Sequence, residues 1–103
     1  MQKLPDWLIV EYVRVLVGKI YPEIRAIVAK YFSEEKMLLT RCYLDREPNK
    51  DDYEMLNIAT DQIVAGRGFK YIAEAEVECV CSDKLFKDLD TLDGFIYARR
   101  EWR

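Results

Sequence analysis

Glu23-Ile24-Arg25-Ala26-Ile27-Val28-Ala29-Lys30-Tyr31-Phe32 is the stretch on which the fold turns. Read with the helical period, Pro22 opens a helix and Ile24, Ile27, Val28 and Tyr31 fall at helical spacing. Read with a period of two, Ile24, Ala26, Val28 and Phe32 share a face, and Ser33-Glu34-Glu35-Lys36 turns the chain into a second strand, Met37 to Leu44. Periodicity alone tilts slightly towards the helix.

The flanking segments are easier to read. Residues 6–17 are expected to be helical, with Asp6 as N-cap and Glu11 and Arg14 as a narrow polar stripe. The β-branched Ile9, Val10, Val13, Val15 and Val17 keep a strand open there, and Gly18 ends the element either way. Residues 49–65 make the clearest helix. Asn49 caps it, Asn49 with Asp52 resembles a capping box, and Asp51 and Asp52 suit the positive end of the dipole. Met55, Leu56, Ile58, Ala59 and Ile63 supply its buried face, and Gly66 and Gly68 stop it. From Ala73 to Cys81 small or apolar residues alternate with Glu74, Glu76 and Glu78, the pattern of a half-buried strand with carboxylates outward. A helix can also be drawn through Phe69, Ile72, Ala73 and Val77. Asp93-Gly94 signals a turn, and Gly94 to Arg100 reads as a closing strand. No repeat or linker divides the chain, so residues 1–103 are expected to form one domain.

The formal charge is −3, but it is unevenly spread. Residues 45–61 hold six acids against two bases, and residues 74–93 hold seven (Glu74, Glu76, Glu78, Asp83, Asp88, Asp90, Asp93) against Lys84 and Lys87. Such a balance argues against direct nucleic-acid binding, which relies on clustered Lys and Arg. The most apolar run, Trp7 to Val17, is broken by Glu11 and Arg14 and is too short to span a bilayer. Asp6 interrupts the start and no small-residue cleavage site follows, so no signal peptide is expected. Three cysteines, an odd number, fit a reducing compartment and hence the cytoplasm.

The sequence carries few residues suited to catalysis. Histidine is absent, which removes the commonest general base and every Ser-His or Cys-His pair. Ser33 and Ser82 lie in no nucleophile-elbow context. Gly66-Arg67-Gly68 lacks the further residues of a phosphate-cradling loop. Cys79 and Cys81 would share a strand face and, with Cys42, offer three sulfur ligands, but structural zinc normally needs four and free cysteine is usually a small core residue. Carboxylate pairs such as Glu74 with Glu76, or Asp88 with Asp90, allow a hydrolase reading, though nothing suggests an apolar cleft to raise one pKa. No cofactor is implied.

The acidic stretch is more informative as a surface. Ile72, Val77, Val80, Leu85, Phe86, Leu89 and Leu92 run in and beside it, so it should fold and hold its charges in place rather than behave as a solvated tail. Tyr43, Tyr53, Phe86, Phe95 and Tyr97 accompany the two acidic blocks as candidate exposed anchors, a mixture typical of protein interfaces.

The blocks Gly18-Lys19-Ile20-Tyr21-Pro22-Glu23-Ile24-Arg25-Ala26-Ile27, Tyr43-Leu44-Asp45-Arg46-Glu47-Pro48 and Leu92-Asp93-Gly94-Phe95-Ile96-Tyr97-Ala98-Arg99-Arg100-Glu101, with Glu78-Cys79, resemble small immunity proteins of bacterial contact-dependent growth inhibition systems. The resemblance implies a cytoplasmic, non-enzymatic, cofactor-free protein. It would bind the C-terminal toxin domain of a large secreted effector, often a basic nuclease that attacks transfer RNA, and cover its active site. It also favours strands over residues 23–32, and so an α+β domain of order α-β-β-α-β-β, a mainly antiparallel sheet packed by two helices. Charge and loop position then nominate Asp45 and Glu47, and Asp83, Asp88, Asp90 and Asp93 after the acidic strand, as toxin contacts. Asp51, Asp52 and Glu54 at the start of the second helix are the alternative block. An acidic adaptor for some other basic protein, a homo-oligomer pairing through an edge strand, and a carboxylate- or thiol-dependent enzyme are the competing readings.

Overall fold

In the computed structural model, which describes residues 4–101, the undecided stretch is a strand. The order is α1 (Asp6–Leu16), β1 (Ile24–Phe32), β2 (Met37–Leu44), α2 (Lys50–Ala65), β3 (Glu74–Cys81) and β4 (Phe95–Ala98), with short 3₁₀ turns at Arg67–Lys70 and Phe86–Asp88. The sheet runs β3-β2-β1-β4. β1 pairs antiparallel with β2 and with β4, while β3 lies parallel to β2 from Met37↔Glu74 to Leu44↔Cys81. The parallel pair follows from connectivity: α2 carries the chain back across the sheet before β3 begins, the crossover that parallel neighbours require.

The expected α+β order therefore stands, and the slight helical tilt of residues 23–32 has a physical explanation. β1 is a central strand, and all of Ile24–Ala29 is buried, on both faces. Such strands read as continuous apolar runs without clean alternation, so period-based reading fails on them.

On one face α1 and α2 close the main core. Leu8, Tyr12, Val15 and Leu16 of α1 and Leu56, Ala59 and Ile63 of α2 meet Ile24, Ile27 and Ala29 of β1 and Leu38, Cys42 and Leu44 of β2. The hydroxyls of Tyr12 and Thr40, both buried there, hydrogen-bond to each other. Four expectations shift in detail. Asp6 is the first helical residue rather than the cap, which falls on Pro5 with no side-chain bond. Glu11 is buried against the exposed Arg14 at 2.7 Å, and Val10 and Val13 of α1 and Val17 just after it are exposed beside that arginine. Ile58 of α2 faces solvent rather than the core. The closing strand is shorter than Gly94–Arg100. Asn49 does form the capping box with Asp52. Gly68 has no room for a side chain, since a Cβ would stand 2.7 Å from the Ile63 carbonyl oxygen. Gly18 closes α1 with φ +76°, a conformation other residues adopt at a cost. Among the described residues no helix is long and apolar enough to cross a membrane.

Candidate functional site

β3 and β4 are opposite edges of the sheet, so the chain between them must traverse the face that the helices leave open. Residues 82–94 do so as a strap. Three of its apolar side chains point down: Phe86, Leu89 and Leu92 pack with Phe95 on Ala26, Val28 and Tyr43, while Leu85 is exposed. The Phe86 and Phe95 ring centres lie 5.8 Å apart. The acids of the strap are left to point outward, and Asp83, Asp88 and Asp90 are exposed.

Buried polar bonds pin the strap. Arg25 sits where the β1–β2 register slips, and such a bulge re-aims its residue. Only 2% exposed, it donates through Nε and Nη2 to the Glu101 carboxylate at 2.8 Å each, and through Nη1 to the Ser82 carbonyl at 2.8 Å. Its guanidinium also lies 5.1 Å from the centre of the Phe86 ring. The Arg25 hydrogen bonds, outweighing burial and helped by Arg99, hold the Glu101 carboxyl at about 2. Farther along, the Tyr43 hydroxyl donates to the Asp90 carbonyl at 2.8 Å, and Asp90 Oδ1 accepts from the Leu92 amide at 2.9 Å. Arg41 joins strap to strand, bonding Glu78 at 2.7 Å and standing 3.5 Å from Asp90. Asp93 is half-buried and accepts from the Tyr31 amide, so its role is in the strap's anchorage.

The first acidic block is more heavily committed. Asp45 and Glu47 are exposed, but Asp45 pairs with Arg99 at 2.7 Å. Asp51 and Glu54 are exposed on the first turn of α2. Asp52 is 1% exposed and is removed from the docking candidates. It accepts from the Asn49 amide, from Arg46 at 2.7 and 3.0 Å, and from the Tyr21 hydroxyl. The Arg46 bonds, against burial, hold its carboxyl at about 2. A carboxylate so enclosed fixes the helix start and has no lone pair to spare for a partner.

The two blocks approach each other at one end of the sheet. Asp45, Cys81, Ser82, Asp83 and Lys84 line an open cleft of about 570 Å³ floored by Arg25 and Arg99. Cys81 is exposed there rather than in the core, and desolvation followed by Glu47, Asp83 and Asp45 pushes its thiol up. Burial pushes Cys42 up to about 12 and Cys79 to about 11. Thiols shifted in this direction are poor nucleophiles. Glu11, Asp52 and Glu101 are each held down by an arginine, the opposite of what a general acid needs. Among the described residues no three His, Cys, Asp or Glu side chains converge as metal ligands.

Sequence reading missed the braces, Arg25, Arg41 and Glu101, because their partners are distant in the chain. The signal for the strap was present in Phe86, Leu89 and Leu92, spaced three apart inside the acidic run. Of the candidate anchors only Tyr53 is exposed; Phe86, Phe95 and Tyr97 are half-buried and Tyr43 belongs to the strap-side core.

What the strap and the strand beside it offer is therefore negative charge held in place. A comparison with curated proteins gave no match. A protein-family model described as MafI2 immunity protein matches residues 5–101, which takes in every helix and strand and the whole strap. This bears out the immunity part of the resemblance and assigns it to Maf toxin immunity, not specifically to contact-dependent growth inhibition. The chain belongs to the MafI2 immunity protein family, and is thus a non-enzymatic protein that binds and neutralises a cognate Maf toxin.

Proposed function

We propose that the toxin is a basic nuclease, with transfer RNA as its substrate, and that this chain neutralises it by seating an acidic surface over the active site. The toxin would be the C-terminal domain of a large secreted effector delivered by cell contact, and the encounter would take place in the cytoplasm. The observation that carries the reading is the strap: Phe86, Leu89 and Leu92 hold it to the sheet while Asp83, Asp88 and Asp90 face outward. A nuclease cleft binds phosphate and is electropositive, so carboxylates held on a braced backbone can stand in for phosphates with little ordering cost. Complementary charge also speeds capture of a lethal partner.

The test is the association rate of the intact chain with the toxin domain encoded beside its gene, measured across salt concentrations. The rate should fall steeply as salt rises, and Asp83→Lys with Asp88→Lys should lower it about tenfold or more at low salt. Asp90 is left intact because it stands 3.5 Å from Arg41. An unchanged rate and affinity would move the contact off Asp83 and Asp88 to another acidic group of the surface. Binding without nuclease inhibition would favour the adaptor reading.

A homo-oligomer has one observation in its favour. Val10 and Val13 on α1 and Val17 at its C-terminal end are 58%, 59% and 75% exposed, and Val13 and Val17 share a shallow groove with Ile96 and Tyr97 of edge strand β4. Sedimentation equilibrium of the chain alone decides it.

A further inference from the structure

We infer that the half of the strap-side sheet face that the strap leaves uncovered is the surface on which the toxin docks, with Phe32, Met37 and Leu39 as its apolar centre and a rim of carboxylates around them. The inference rests on the reading of a basic toxin and names its seat. Alternation along the strands puts Lys30 and Phe32 of β1, Met37, Leu39 and Arg41 of β2, and Glu74, Glu76 and Glu78 of β3 on this face. Register then sets them in rows: Phe32, Met37 and Glu74; Lys30, Leu39 and Glu76; Val28, Arg41 and Glu78. The strap covers Val28 and stops where Asp90 meets Arg41. Beyond that line Phe32, Met37 and Leu39 join neither buried cluster and are only partly buried.

A sheet face left half-dry in the middle of a small domain needs a partner, and its charge specifies which kind. Glu74 and Glu76 are exposed along the β3 side, Glu78 is half-buried, and Asp90 and Asp93 close the side where the strap ends. Against these five carboxylates stand Lys30 and Arg41. Arg41 is spent on Glu78 and Asp90, and Lys30 leans over the Phe32 ring with its Nζ 5.1 Å from the ring centre. An apolar centre within a charged rim is the anatomy of a protein interface, and the sign of the rim fits a basic partner. Met37 adds a side chain that adapts to an irregular surface. The strand glutamates thereby join the strap aspartates as parts of one surface, linked by Arg41.

The experiment compares the intact chain with Leu39→Lys and Glu76→Lys for binding to the toxin domain encoded beside its gene, by calorimetry and by inhibition of the toxin. Each variant should weaken the dissociation constant tenfold or more, the usual scale for removing a central anchor or reversing a facing charge. Glu76 is exposed, so its variant keeps the fold even where Leu39→Lys does not. Affinities within twofold of the parent for both variants overturn the inference and leave the toxin reading standing. Variants that instead split a dimer of the chain, with toxin affinity unchanged, give the face to a second copy and overturn it equally. A parent chain that fails to bind the toxin domain overturns the reading beneath, and the inference with it.

Discussion

On the helix side of the sheet, side chains from two helices and three strands close a continuous apolar core. On the strap side, three apolar residues and one buried arginine hold a single length of chain over half of the surface. The first face is stabilised by area removed from water, a non-directional effect spread over many residues. The second depends on a few directional bonds, above all Arg25 with Glu101 and Ser82. One side of the molecule is thus specified by hydrophobic patterning, and the other by where individual polar groups happen to meet. The side with less apolar cover is also the side that presents the negative surface.

Removing the central brace should have the largest effect. Arg25→Ala leaves the Ser82 carbonyl without this donor and the Glu101 carboxylate without its two Arg25 bonds, though Arg99 still reaches it at 3.0 Å, and loss of one member of such a buried pair costs roughly 3–5 kcal/mol in a denaturant titration. The same pair gives the strap an acid limit. Glu101 is held at about 2 in the fold against an ordinary value near 4.5, so the unfolded chain binds the extra proton. Its stabilisation is fully present above pH 5 and is lost as the pH falls through the folded value near 2. Thermal transitions measured from pH 6 downwards should therefore decline, and Glu101→Gln should flatten that decline.

Leu56→Ala should cost about 3 kcal/mol, because the residue is fully enclosed between α2 and the sheet. Leu89→Ala, on a strap with solvent on its outer side, should cost about 1–2 kcal/mol and loosen the strap before the core. Amide hydrogen exchange separates the two: the first variant should speed exchange throughout the sheet, the second mainly in residues 83–94. If the two cost the same, the strap is as integral to the core as the helices are. The smallest change in stability belongs to Asp83→Lys with Asp88→Lys, within about 0.5 kcal/mol by thermal melting, since both side chains are exposed.

Much of this was legible from residues close together in the chain. The capping box of Asn49 and Asp52, the β2 strand from Met37 to Leu44 and the outward glutamates of β3 each rest on neighbours within a turn or a pleat. β1 was not, because burial on both sides erased its period, and the strand reading came through the family resemblance. Asp52 was read as a surface acid since nothing local announces Arg46 and Tyr21 closing over it. Of the strap aspartates nominated from the sequence, Asp83, Asp88 and Asp90 are exposed and Asp93 is half-buried, while the strap's anchorage by Tyr43, Arg41 and Arg25 joins residues about fifty positions apart.

The sequence by itself determined where the elements lie and that fixed acidic charge, without histidine, is what the chain has to offer. Local propensity and composition suffice for that. Tertiary structure decided which carboxylates are free, which are consumed, and that strand and strap acids frame one half-covered sheet face. The physical reason is that a charge's availability depends on the cation folded beside it, and those cations arrive from strands that meet only in the assembled sheet.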